Sequence, residues 1–100
     1  MGWDVSKHSQ PHRKLGLYDR RLVRLRGVVK RGESEAHVVA ASEKLRFAAL
    51  AVIKARRALI KEYPKRDSEG LESRKLQEEE ERWLSLSVKE IVEAYGASVT

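Results

Sequence analysis

Between Gly32 and Pro64 the chain runs through thirty-one residues without a glycine or a proline. A stretch of that length is best satisfied by one long helix, and both ends carry the matching signals. Ser34 is suited to cap the N-terminus, with Glu35 in the first turn where a negative charge is favoured. Pro64 closes it, because the residue before a proline avoids the helical region. About thirty residues rising 1.5 Å each give a rod of roughly 45 Å. Val38, Ala41, Leu45, Ala48, Val52, Ala55 and Leu59 form one seam along it. Val39, Ala49, Ile53, Ile60 and Tyr63 run beside that seam, so the apolar face is broad and needs more than one neighbour.

The neighbours are legible on either side. Tyr18, Leu22, Leu25 and Val29 recur at 4-3-4 spacing, which predicts a basic amphipathic helix over about 15–31 that ends at Gly32. Pro64 to Ser68 reads as a turn, with Asp67 or Ser68 capping a third helix over about 68–95. Its first half is polar, and its second half carries Leu84, Val88, Ile91, Val92 and Tyr95. Ser87 and Glu90 match a capping box, so a kink is expected near 85–87. The expected fold is all-α: a long antiparallel helical hairpin plus an N-terminal basic helix. These three helices (15–31, 34–63 and 68–95) form one domain over 15–96. Residues 1–14 are expected to be a flexible tail and 97–100 a frayed end.

Charge divides along the chain. Residues 1–66 hold 17 Lys and Arg against 6 Asp and Glu, while residues 67–100 hold 4 against 9. Across a hairpin with its turn near residue 66, the acidic run Glu78–Glu81 faces Lys54, Arg56 and Arg57. That pairing explains most of the acidic run. It leaves residues 1–32, with nine basic residues against two acidic ones, without an acidic counterpart. Such a helix is a solvated face, a contact for nucleic-acid phosphates, or a contact for an anionic membrane or acidic protein. Arg20, Arg21, Arg24, Arg26, Lys30 and Arg31 are the candidate phosphate-binding residues. Their richness in arginine favours phosphate, because the guanidinium offers a planar fork of donors.

Several chemistries find no support. The chain has no cysteine, which excludes disulfides, thiolate metal sites and a cysteine nucleophile. There is no HExxH, no GxxxxGK[ST], no GxGxxG and no GxSxG. His8 and His12 are separated by Pro11, and His37 stands alone. Met1-Gly2 and Ser6 meet only the loosest myristoylation pattern. An enzyme, a cofactor and a small-molecule substrate are therefore not expected. The longest apolar run, Phe47–Ile53, is seven residues, too short to span a bilayer. No secretory leader is visible, so a cytoplasmic setting is expected.

Ser87 to Ser98 resembles the first helix and turn of a helix-turn-helix: a capped helix with an Ile/Val face, followed by Gly96. In that family the second helix reads bases in the major groove. Here the chain stops at Thr100, so that element has no counterpart, and ordinary capping accounts for the same twelve residues. Val38, Val39, Phe47, Leu50, Ile53 and Ile60 do not all fit one seam. A homodimer through the Val38–Ile60 helix, completing a bundle, is therefore expected. The functional expectation is a non-enzymatic helical protein that binds nucleic acid through its basic first helix. The alternative is a protein–protein assembly module that uses the long hairpin.

Overall fold

The computed structural model describes residues 11–96, with side chains from Lys14 onwards. The chain is all-α in this span. Helix α1 covers Pro11–Lys30, α2 covers Glu35–Glu62, α3 covers Leu71–Ser85 and the short α4 covers Val88–Ile91. A 3₁₀ turn at Pro64–Asp67 joins α2 to α3, and a π turn at Val92–Gly96 extends α4. Expectations for residues 1–10 and 97–100 fall outside the described residues.

Each boundary has a local cause. α1 begins at Pro11, inside the segment expected to be a tail. Proline favours that position because its fixed φ suits a first turn and its missing N–H would be unbonded there anyway. The helix stops at a left-handed glycine, Gly32, with φ of 66°. Gly32 N–H donates to Val29 O and Glu33 N–H to Val28 O, the paired bonds of a Schellman end. Ser34, two residues after Gly32, caps α2: its hydroxyl accepts from the His37 N–H.

The start of α3 corrects the sequence reading. The helix begins at Leu71, not at residue 68, because Gly70 adopts φ of 72° and redirects the chain. Asp67 still performs a cap from outside the helix. Its carboxylate accepts from the Glu72 and Ser73 N–H groups at 3.0 and 2.9 Å and from the Ser73 hydroxyl at 2.7 Å. Those bonds, the Ser73 hydroxyl first, hold the Asp67 carboxyl below its ordinary range. At the far end α3 stops at Leu86. Ser87 and Glu90 then exchange both bonds of a capping box, which starts α4 in a new direction.

One core ties the layers together. Leu25 and Val28 of α1 meet Ala41, Leu45, Ala49 and Ile53 of α2, and Leu76, Trp83 and Ile91 close it from the other side. The Trp83 ring is 3% exposed, stacks on Tyr95 at 4.8 Å and receives the Tyr18 ring edge-on at 6.3 Å. Of the residues that suggested a dimer, Ile53 is buried, and Val38, Leu50 and Ile60 pack against this core. Val39 and Phe47 remain exposed.

Arg46 fixes the end of α3. Its guanidinium donates to the carbonyls of Trp83 and Leu84 at 3.2 and 3.3 Å and to that of Leu86. Its Nε lies 2.9 Å from Glu43 Oε1, close enough for ion pairing but not aligned as a hydrogen bond. A cation at carbonyls left over by a helix end is favourable, and a planar fork suits three acceptors. Arg46→Ala is expected to cost about 2 kcal/mol, since bonds to a charged group contribute roughly 1.5–3 kcal/mol. Thermal unfolding should show a melting point lowered by roughly 8–16 °C. Arg46→Lys should recover only part of this loss.

Candidate nucleic-acid interface

The six arginines and lysines expected to contact phosphate do not form one surface. Successive helical residues turn by 100°, so Arg24 lies about 200° around α1 from Arg26, on the opposite flank. Lys30, four residues after Arg26, falls near the Arg26 flank. Arg26 is half-buried, and its Nε donates to the Tyr95 carbonyl at 3.1 Å. That carbonyl belongs to the π turn, and the bond ties the end of the fold to α1. Arg26 is therefore a structural cation.

Arg31 lies past the end of α1 and is also engaged. Its Nε and Nη2 sit 2.7 and 2.6 Å from the same Glu33 oxygen. The Arg31 hydrogen bond holds the Glu33 carboxyl below its ordinary range, and the charges of His37 and Arg24 add to the effect. His37 Nδ1 stands 3.5 Å from Glu33 Oε1 and 3.1 Å from the Ser34 hydroxyl. This cluster closes the α1–α2 turn.

Arg20, Arg21 and Arg24 are what remains. Arg20 and Arg24 are exposed, Arg21 is half-buried, and none of them makes an ion pair or hydrogen bond with another described residue. Tyr18, Arg26 and Val29 face the layer of Trp83, Tyr95 and Gly96. Arg20 and Arg24 therefore sit on the flank of α1 turned away from α3 and its carboxylates, while Arg21, seven residues before buried Val28, lies half-buried at the edge of that flank nearest α2. Two cations that the sequence reading missed belong near them. Lys14 is seven residues before Arg21 and so shares its flank, and Lys44 lies across the α1–α2 turn from Arg21. Both are exposed. Lys14 was hidden because the helix was expected to begin after it. Lys44 was hidden because it interrupts no apolar period.

The acidic run is only partly consumed. Arg57 Nη1 pairs with Glu80 Oε1 at 2.9 Å across the hairpin, which sets the register of α3 on α2. Arg56 and Glu79 border one cleft without an ion pair between them. That cleft, of about 290 Å³, is also lined by Tyr18, Trp83, Tyr95 and Arg82. The Arg82 guanidinium lies over both the Trp83 and Tyr95 rings, at 5.2 and 5.8 Å. Burial, reinforced by Tyr95, Asp19 and Glu79, pushes the Tyr18 hydroxyl up, and Arg82 opposes it.

Among the described residues, no group of three or more His, Cys, Asp or Glu is arranged to hold a metal ion. No helix among them is long and apolar enough to cross a membrane. Comparison of the chain with protein-family models, with curated proteins and with solved structures finds no match.

Proposed function

We propose that this protein is a non-enzymatic helical module that binds nucleic acid through phosphate contacts from the free flank of α1. Arg20, Arg21 and Arg24 make the primary contacts, with Lys14 and Lys44 beside them. One observation carries the reading: these arginines have no ion-pair or hydrogen-bond partner among the described residues, although the same chain holds a long acidic run. Arg26 and Arg31 are not part of the surface, because Tyr95 and Glu33 already occupy them. Phosphate contacts position a protein on a strand without reading its sequence, so binding is expected to be non-specific.

The test is salt. With about three or four phosphates neutralised, affinity should fall roughly 20- to 50-fold for a labelled single strand, and about 40- to 150-fold for a duplex, between 50 and 200 mM salt. Fluorescence anisotropy measures this directly. Affinity that ignores salt would instead favour the apolar assembly surface of the alternative reading.

A further inference from the structure

We propose that Phe47 is a base-stacking residue and that the preferred ligand is single-stranded nucleic acid; this rests on the nucleic-acid reading above. Phe47 is 74% exposed, more than any other large apolar side chain among the described residues. The core does not need it. Its neighbour Arg46 points to the α3 carbonyls, which leaves the ring on the outer face of α2.

The surroundings of the ring identify its occupant. Lys44, Phe47, Ala51, Lys54 and Ala58 are spaced by three and four residues and so form one stripe along α2. The alanines are too short to cover the ring. The lysines place a positive charge about one turn before it and two turns after it. Glu43, also one turn before Phe47, is held by Arg46 at 2.9 Å. Residues equidistant from the α1–α2 turn face each other, which brings the Arg20–Arg24 segment of α1 alongside Lys44. A flat apolar ring set among cations is the recurring means of holding a single strand: the cations follow the backbone and the ring stacks a base.

The charge around the ring favours this occupant: Lys44 and Lys54 flank it along the stripe, and an anionic strand running past the ring meets both. A duplex must unstack its bases to offer one to the ring, whereas a single strand offers its bases at little cost, so the ring favours the single strand. Among the described residues, the other exposed ring, Tyr63, sits at the far end of α2 and about 160° around it, so it offers no second platform on this face.

The test compares wild type, Phe47→Ala and Phe47→Trp on a labelled 20-nucleotide oligo(dT) and on a labelled duplex of the same length. Circular dichroism confirms the fold of each variant. The expected result is tighter binding of the single strand by wild type, lost about tenfold in Phe47→Ala and recovered in Phe47→Trp. The salt slope and the duplex affinity should not change between variants. If Phe47→Ala binds the single strand as wild type does, the inference is overturned while the phosphate reading stands. If wild type binds neither probe at 50 mM salt, the phosphate reading itself has failed. If Phe47→Ala instead halves the mass seen in solution, the ring belongs to a contact between two copies and the inference is again overturned.

Discussion

Trp83→Ala is expected to cost about 3–5 kcal/mol, the range for removing a large aromatic from a packed core. The ring holds three parts of the fold at once. Tyr18 brings α1 to it, Tyr95 brings the π turn, and Ala49, Val52 and Ile53 of α2 line the same cleft. A truncated side chain cannot be replaced by local collapse, because its neighbours are fixed by their own helices. A domain of this size is stable by only about 5–15 kcal/mol, so the variant should melt roughly 15–30 °C lower. Trp83→Phe should lose much less, since it keeps an aromatic face for Tyr95. A melting point unchanged in Trp83→Ala would mean that the aromatic cluster is not the centre of this core.

Reversing Arg20, Arg21 and Arg24 to glutamate is the second large effect, and it acts chiefly on binding. The variant loses three phosphate contacts and adds three repulsions, so affinity for any oligonucleotide should fall at least about a hundredfold. The fold should survive, because these side chains make no hydrogen bond or ion pair with another described residue and two of the three are exposed. Arg26 provides the contrast. Its bond to Tyr95 O joins α1 to the last turn, so Arg26→Ala should weaken folding more than binding. The two arginines at 24 and 26 are neighbours in sequence and opposite in consequence, which only their positions around the helix explain.

Much of the architecture was legible because helical signals are local. Gly32, Ser34 and Pro64 mark the ends of α2 on their own, and the capping box at Ser87 and Glu90 marks the break before α4. The start of α3 was not legible. Asp67 looks like an N-cap and acts as one, but a left-handed Gly70 lies between it and the helix, and nothing in the sequence requires that conformation. Residues 1–14 carry no sustained apolar period, which is why Pro11 reads as part of a tail, yet a proline also suits the first position of a helix.

The candidate site was half legible, for a physical reason. The basic character of α1 is a matter of composition, whereas the engagement of each cation depends on contacts between distant residues. Arg26 and Tyr95 are 69 positions apart, and Arg46 meets Trp83 across 37. Arg31 could have been suspected from the nearby Glu33. The charge of the acidic run likewise gave no hint that Glu80 is the member paired with Arg57 across the hairpin. Phe47 opens the longest apolar run of the chain, yet it lies about 200° around α2 from buried Leu45 and so falls outside the core.

The most direct measurement is fluorescence anisotropy of wild type beside the Arg20, Arg21 and Arg24 reversal, on one labelled oligonucleotide at 50 mM salt. The account requires saturable binding by wild type at micromolar concentration or below, and none by the reversed protein over the same range. Equal binding by both proteins, or no binding by wild type, would contradict it.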